Sequence, residues 1–444
     1  MTFKSLRAST FLAGVIGIAA TAGPAVADII NTTPLALLPV PTGGANFQPN
    51  GAFTSFDISY ADPVTGNIFI ADRSNAGVNI YSGSSLTFLG RAEGFTGQTG
   101  NNNTSGADGV LTVTTGGTTT LYAGDGTSSL RVYNATNPAA PVFQQSISTG
   151  GTTRVDEMAY SPLTQQVLAA NNAETPAFAN LFSTNNGHPQ VHLIGAPPAN
   201  QIVVPNSLGG FPGGGMEQPA WNPTTGTFFV SIPQLSGGTT GVLVNPNNPG
   251  GVAEISTAGK VLRTIDFTNI PGLSSAGCAP AGLAVAGNGN MLVGCNTNGP
   301  SQAILLDKNG NFLKLVGAGQ LGGTDELWYD PTTNRFYVVG GPGGSNPGTR
   351  FFDVVDVNGN VLQTINLPTT SSAHSITVDP FNGDVFVALA GTNPAGTNTA
   401  CPLGCIAVFA QAAVPAPIVG AGLPGLIFAA GGLVALARRR RRTA

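Results

Sequence analysis

The sequence predicts an all-β protein, a seven-bladed β-propeller closed by an N-terminal strand and flanked by a signal peptide and a C-terminal transmembrane segment. Two observations indicate the β class: the 444 residues include 62 Gly and 33 Pro, and only 9% are charged. This composition is typical of a turn-rich β protein. The third observation is a sevenfold repeat of about 40 to 50 residues that holds about four strands, which is typical of propeller blades.

Each repeat opens at what we call a ring position, followed by a short apolar strand, a turn and a second apolar strand. Successive ring positions are 51, 48, 61, 64, 44 and 49 residues apart. The seven are Asp57, Asp108, Asp156, Glu217, Ala281, Asp325 and His374. Because the first strand of each blade lines the central channel, we expect all seven on one rim of that channel.

The turns between the first two strands have a recognisable chemistry. Asp62-Pro-Val-Thr-Gly66 and Asp330-Pro-Thr-Thr-Asn334 are examples. Aspartate caps such a turn, proline presets φ, and glycine or asparagine accepts a positive φ.

The seventh repeat has only three strands after His374, and residues 35–40 resemble the missing fourth strand. Pairing there would close the ring and protect an exposed sheet edge. Two long insertions stand out: residues 173–188, read as preceding the third strand of the third repeat, and residues 237–250 in the fourth.

The N-terminus resembles a secretory signal peptide, residues 1–27. Lys4 and Arg7 precede an apolar run, and Ala25-Val-Ala27 provides a small-residue cleavage pattern. The propeller is predicted to span residues 28–412.

The C-terminus holds a predicted transmembrane helix at 418–437, followed by a basic cytoplasmic tail at 438–444 with five arginines. Before it, residues 413–417 contain Val414-Pro-Ala-Pro417, and the whole end resembles a PEP-CTERM sorting signal, with Ala416 where Glu is usual. The resemblance implies a bacterial protein, an exosortase-like sorting protease as partner, initial anchoring in the inner membrane, and a final location at the cell surface or outer envelope.

Charge argues against nucleic acid as a partner. Of 17 basic residues, Lys4, Arg7 and the five tail arginines lie outside residues 28–417, so 10 remain against 21 acids. A net charge near −11 disfavours contact with nucleic acid or anionic lipid.

Four cysteines suggest two disulfides in an exported protein. Cys278 and Cys295 flank a predicted hairpin, and Cys401 and Cys405 bracket a tight turn. A zinc site built from all four would need the two pairs to meet in space.

The ring positions are the candidate ligand-binding residues: Asp57, Asp108, Asp156, Glu217, Asp325 and His374. Carboxylates crowded around one channel must be protonated, paired, or bound to a cation. Oxygen ligands favour Ca²⁺ or another divalent cation over zinc. A structural role as backbone caps is the competing interpretation. Strand alternation predicts that the neighbouring Glu157 and Glu326 point away from the channel.

The pattern Asp62-Pro-Val-Thr-Gly-Asn-Ile-Phe-Ile-Ala-Asp72 resembles NHL-type repeats and the senescence-marker/gluconolactonase propellers. That resemblance implies a metal held by Glu, Asn and Asp in the channel, for which Glu217, Asn171, Asn296 and Asp325 are the candidates. It also implies lactone hydrolysis, with Asp325 or His374 activating water.

Three functions therefore stay open. The favoured one is a binding or structural module of the cell envelope or extracellular matrix. A metal-dependent lactonase is the second, and a protein-interaction platform formed by the loops 173–188 and 237–250 is the third.

Overall fold

Seven four-stranded antiparallel sheets, each corresponding to one sequence repeat, form the seven blades of a β-propeller. The computed structural model describes residues 29–41, 52–184, 192–195, 198–204, 215–235, 250–273, 278–296, 302–317, 324–340, 350–392 and 397–412. The predicted signal peptide, sorting motif, transmembrane helix and basic tail lie outside these residues. Within the described ranges, no helix has the length and apolar character that crossing a bilayer requires.

The strands of each blade follow one another outward from the channel. Blades 1 to 3 consist of β2 (Ser59–Ala61), β3 (Asn67–Asp72), β4 (Gly77–Ser82) and β5 (Phe88–Glu93), then β6 (Val110–Thr115), β7 (Thr118–Asp125), β8 (Ser129–Asn134) and β9 (Val142–Ser148), then β10 (Met158–Ser161), β11 (Gln166–Asn171), β12 (Phe178–Ser183) and β13 (His192–Leu193). Blades 4 to 6 consist of β14 (Pro219–Asn222), β15 (Thr227–Ile232), β16 (Gly251–Ile255) and β17 (Val261–Asp266), then β18 (Pro280–Val285), β19 (Met291–Cys295), β20 (Ala303–Leu306) and β21 (Phe312–Val316), then β22 (Leu327–Asp330), β23 (Arg335–Gly340), β24 (Phe351–Asp356) and β25 (Val361–Asn366).

Blade 7 confirms the predicted closure. It consists of β26 (Ile376–Val378), β27 (Val385–Leu389) and β28 (Cys405–Phe409), with β1 (Ala36–Pro39) as its outermost strand. β1 pairs antiparallel with β28, from Ala36 opposite Val408 to Pro39 opposite Cys405. The first strand of each blade contacts that of the next, and β26 contacts β2, so the ring is complete.

The core lies between blades. Consecutive residues of a second strand face opposite neighbours: Phe228 packs toward blade 3 and Phe229 toward blade 5. Seven buried apolar clusters among the described residues fill the seven interfaces between adjacent blades. Burial of both faces explains why these strands are apolar almost throughout.

The Asp-Pro turns have the predicted mechanism. Asp62 Oδ1 accepts hydrogen bonds from the backbone N–H groups of Val64 at 3.0 Å and Thr65 at 2.7 Å. Gly66 follows with a φ of +69°, and a Cβ there would come within 2.8 Å of the Phe381 ring. Asp62 is therefore a structural residue.

One predicted segment is wrong. Residues 173–188 were expected to form an excursion before the third strand of blade 3, but β12 lies within them. The apolar run Phe178–Ser183 pairs with β11, because its alternate residues fill the interface that a loop would leave empty. Residues 236–249, most of the other predicted loop, lie outside the described part of the chain.

Both predicted disulfides are present. Cys278 bonds to Cys295, with Cα atoms 4.9 Å apart, and Cys401 bonds to Cys405, with Cα atoms 5.9 Å apart. The first joins the two ends of the hairpin formed by β18 and β19, where Pro280 lies opposite Cys295.

Candidate functional site at the channel rim

Equivalent backbone contacts place the ring positions at one end of the channel. In blades 1 to 4, the N–H of the ring residue donates to a carbonyl near the end of the second strand of the same blade. These bonds are Asp57 to Ala71 (3.2 Å), Asp108 to Gly124 (3.1 Å), Asp156 to Ala170 (2.7 Å) and Glu217 to Ser231 (3.0 Å). The repeated sequence position is thus a repeated structural position.

Two of the ring acids share one arginine. The Arg73 guanidinium donates through Nη2 to Asp57 and through Nε to Asp108, and all three side chains are buried. Its Nη1 donates to Asn102 Oδ1 at 2.7 Å. Arg73 immediately follows β3 in blade 1 and thereby links the first residues of blades 1 and 2.

A second arginine pairs with the third acid. Arg154 donates to Asp156 Oδ2 through Nη2 at 2.8 Å and through Nε at 3.1 Å. Both side chains are buried. Neither Arg73 nor Arg154 was singled out from the sequence, although both lie within two residues of an acid on the rim side of a blade.

His374 lies between two ring acids. Its Nε2 is 3.8 Å from Asp57 Oδ1 and 3.8 Å from Asp325 Oδ2, a separation for an ion pair rather than a hydrogen bond. Nδ1 is 2.8 Å from the hydroxyl oxygen of Ser372, and the imidazole stacks on Phe56 with ring centroids 4.4 Å apart. The imidazole is therefore fixed in orientation and faces the channel acids.

The other side of the rim carries acids without an arginine. One oxygen each of Glu157, Glu217 and Asp325 lies within 4.8 Å of the others, and we call these three residues the acid cluster. Asn172 Nδ2 lies 3.4 Å from Glu217 Oε1. No guanidinium among the described residues hydrogen-bonds to the acid cluster, and Glu157 Oε2 has no hydrogen-bond partner among them.

The inclusion of Glu157 corrects the alternation argument. Glu157 and Glu326 were expected to point away from the channel, yet both are buried and both line it. The physical reason is that Glu157 precedes β10, which starts at Met158, so strand alternation does not yet apply. Glu326 Oε2 accepts from the backbone N–H of Ser59 at 3.2 Å and of Ile376 at 3.3 Å, and from the Ser375 hydroxyl.

Electrostatics separates Asp57 from the other acids of the rim. Burial raises the pKa of Asp57, but the charge of Arg73 and the proximity of His374 outweigh this and hold that pKa below its ordinary value. In the acid cluster burial prevails, although the charge of Arg154 acts to lower the pKa values of Glu217 and Asp325. Burial and the charges of neighbouring carboxylates raise the pKa values of Glu157 and Glu217 well above their usual range, and burial raises that of Asp325 against the effect of His374.

Burial also dominates the remaining carboxyls of the channel. It raises the pKa of Asp108 despite Arg73 and that of Asp156 to about 7 despite Arg154. It raises the pKa of Glu326 to about 8, although the hydrogen bonds from Ser375, Ser59 and Ile376 act in the opposite direction. Near neutral pH, carboxyl groups of the channel therefore tend to be protonated, and a bound cation would displace their protons.

The remaining metal candidates lie apart from these contacts. The Asn171 amide nitrogen donates to Ser128 Oγ at 3.0 Å and contacts the Arg154 carbonyl at 3.4 Å, so that amide joins blades 2 and 3. Asn296 is exposed and donates its backbone N–H to Ala279 at 2.7 Å. Of the four candidates, the structure brings together Glu217 and Asp325 and adds Glu157 to them.

The acid cluster fits a hard divalent cation better than it fits any catalytic nucleophile. Its donors are all oxygen, and Glu217 and Asp325 are half-buried, so solvent reaches them. A second group of three, Asp57, Asp325 and His374, also converges within 4.8 Å, but there Asp57 is already paired with Arg73.

Comparisons with known proteins show the fold alone. No family model matches the chain, and no curated protein is significantly similar to it. Raptor from Chaetomium thermophilum shares 14% identity at a TM-score of 0.54, over 88% of this chain and 30% of that chain. Hydrazine synthase from Kuenenia stuttgartiensis shares 12% identity at a TM-score of 0.54, over 84% of this chain and 99% of that chain. The chain thus spans less than a third of the Raptor chain.

Proposed function

We propose that this propeller is an exported, non-catalytic binding or structural module of the cell envelope or extracellular matrix, and that its channel rim holds a divalent cation, Ca²⁺ first among them. The observation that carries the proposal is that some acids of the rim bind an arginine and others do not. Arginines donate hydrogen bonds to Asp57, Asp108 and Asp156, whereas Glu157, Glu217 and Asp325 converge with no arginine hydrogen-bonded to them among the described residues.

The residues present fit such a cation. Three carboxylates supply oxygen donors and negative charge, and Glu157 Oε2 is a buried acceptor without a partner among the described residues. An unpaired buried carboxylate is costly, and a cation removes that cost. A Ca²⁺ ion takes six to eight oxygen ligands, so three carboxylates would leave positions for water or for a polyhydroxylated ligand.

The proposed location rests on the two ends of the chain. The signal-like residues 1–27 support export, and the apolar segment with its arginine cluster supports initial anchoring in the inner membrane through residues 418–437. Processing by an exosortase-like protease would then release the propeller to the surface. The two disulfides agree with an oxidising compartment.

A metal-dependent lactonase is the second candidate, favoured by the position of His374 between Asp57 and Asp325. A cation on the acid cluster would polarise an ester carbonyl, and Asp325 or His374 would accept a proton from water. A protein-interaction platform is the third, although blade 3 no longer offers the long loop on which half of that proposal rested.

One experiment separates the first two from a purely structural rim. The metal content of the purified protein is determined by elemental analysis, and its melting temperature is recorded in Ca²⁺ and in chelator. We expect a stoichiometric metal and a higher melting temperature in Ca²⁺, both lost in Asp325→Asn and Glu217→Gln. Hydrolysis of simple lactones that chelation abolishes would favour the lactonase. If the protein contains no metal and its melting temperature does not change, the cation site is refuted and the acids remain structural caps.

A further inference from the structure

Beyond the ring positions, the first strands surround a second space. This cavity has a volume of about 350 Å³ and is lined by residues that follow the ring positions, as far as Pro331 in the turn after β22. It therefore extends from the residues next to the ring positions toward the strand–strand turns. We call it the chamber.

Five aromatic side chains line the chamber. They occupy the third or fourth position after a ring residue, and all are half-buried: Tyr60, Tyr160, Trp221, Trp328 and Tyr329. Tyr60 and Trp328 meet edge to face, with ring centroids 5.4 Å apart. Four blades, the first, third, fourth and sixth, thus contribute aromatic side chains to one space.

Two carboxyl groups and one amide stand at the end of the chamber nearest the ring. Glu326 is engaged through Oε2, which accepts hydrogen bonds from Ser59, Ser375 and Ile376. Gln218 is engaged as well, because its Oε1 accepts from the backbone N–H of Leu283 at 2.7 Å and of Leu327 at 2.9 Å. Glu157 differs: it is 2% exposed, and its Oε2 has no hydrogen-bond partner in the described part of the chain.

We propose that the chamber is a binding site for a small primary organic ammonium ion, with the aromatic rings around the cation and Glu157 accepting one of its N–H bonds. Tyrosine and tryptophan faces attract cations through their quadrupoles, most strongly where water is excluded. A carboxylate at the end of such a pocket then fixes the ammonium group. The volume of about 350 Å³ suits a ligand of arylalkylamine size, because small-molecule sites commonly have volumes of about 300–1,000 Å³.

The chain itself provides the probe. It contains only two tryptophans, Trp221 and Trp328, and both line the chamber. Tryptophan fluorescence of the intact protein therefore reports occupancy of the chamber directly. The titrant is benzylammonium, and the reference is benzyl alcohol, which has nearly the same shape without the charge. Glu157 also belongs to the acid cluster, so Ca²⁺ and the ammonium ion would compete for it. Titration in a chelating buffer removes the rim cation, so failure here is distinct from failure of the metal proposal.

We expect a saturable fluorescence change with benzylammonium and a response at least tenfold weaker with benzyl alcohol. Glu157→Gln should weaken benzylammonium binding at least tenfold, whereas Glu93→Gln, which alters an exposed glutamate at the end of β5, should leave it unchanged. Ala220→Phe, which fills the chamber from its wall, should abolish the fluorescence response. This variant tests the proposal if Glu157→Gln does not fold. Equal responses to amine and alcohol, or saturable binding that survives both chamber variants, would overturn the proposal.

Discussion

Arg73, at the end of the second strand of blade 1, donates a hydrogen bond to Asp108, the residue that opens blade 2. The same guanidinium also binds Asp57, so one cation pairs with two buried acids and joins two blades. The charge of Arg73 therefore favours ionisation of the acids that open blades 1 and 2, although burial still raises the pKa of Asp108.

Replacing Arg73 tests that role. Arg73→Gln leaves two buried carboxyls without their cation, and loss of one partner of a buried pair typically costs about 3–5 kcal/mol. We expect a loss of that size in the free energy of unfolding, measured by urea denaturation. Arg263→Gln is the matched control, because Arg263 is 43% exposed where it pairs with Glu254 and should matter by less than about 1 kcal/mol. Similar small losses in both variants would contradict the role of Arg73.

The stability of the metal-free protein should depend on pH. Burial raises the pKa of Asp156 from 3.8 to about 7 and that of Glu326 from 4.5 to about 8. A carboxyl with a raised pKa in the folded state stabilises fully below its unfolded pKa, and this contribution is lost as pH rises through the folded pKa. We therefore expect the free energy of unfolding in chelator to fall by at least about 2 kcal/mol between pH 5 and pH 8.

The measurement is urea denaturation at intervals across that range. Glu326→Gln should reduce the slope, because the variant has one fewer group to deprotonate. A stability that stays flat or increases from pH 5 to pH 8 would show that these carboxyls are ionised in the folded protein at little cost.

Closure of the ring can be tested within one strand. Leu38 in β1 is 7% exposed and packs between blades 7 and 1, whereas its neighbour Leu37 is 39% exposed. Leu38→Ala should lower the free energy of unfolding by about 2–5 kcal/mol, and Leu37→Ala by no more than about 0.5 kcal/mol. Equal effects in thermal or urea denaturation would mean that β1 does not contribute its inward face to the core.

The two disulfides should differ in how much they raise the free energy of unfolding. Cys278 and Cys295 are 17 residues apart, and Cys401 and Cys405 only 4. On the chain-entropy account, the longer loop gains about 3 kcal/mol and the shorter about 2 kcal/mol. Paired Cys→Ala variants compared by urea denaturation should follow that order, and the reverse order would contradict the chain-entropy account.

The sequence allowed much of this fold to be predicted. The blade count, the closing strand and both disulfides follow from periodicity and from the need to protect an edge, which are local patterns that the printed residues display. Blade 3 shows the limit: the polar and proline-containing residues before Phe178–Ser183 predict a loop, whereas this short segment is a strand.

The candidate site was harder to predict from the sequence. The ring positions were found from the repeat, but Arg73 and Arg154 repeat in no other blade and so carry no periodic signal. Their scarcity was the available clue, since only 10 basic residues lie within residues 28–417. Glu157 was assigned to the wrong side because alternation was applied to a residue that precedes its strand.

The most direct test of the central claim is a calorimetric titration of Ca²⁺ into chelator-treated, desalted protein at pH 7.5. Wild-type protein should show one saturable site, and Asp325→Asn should lose it, because the variant removes a carboxylate of the acid cluster. Asp266→Asn, a change of an exposed aspartate in β17, should bind as the wild type does. No binding in the wild-type protein, or equal binding in Asp325→Asn, would contradict a cation site at the channel rim.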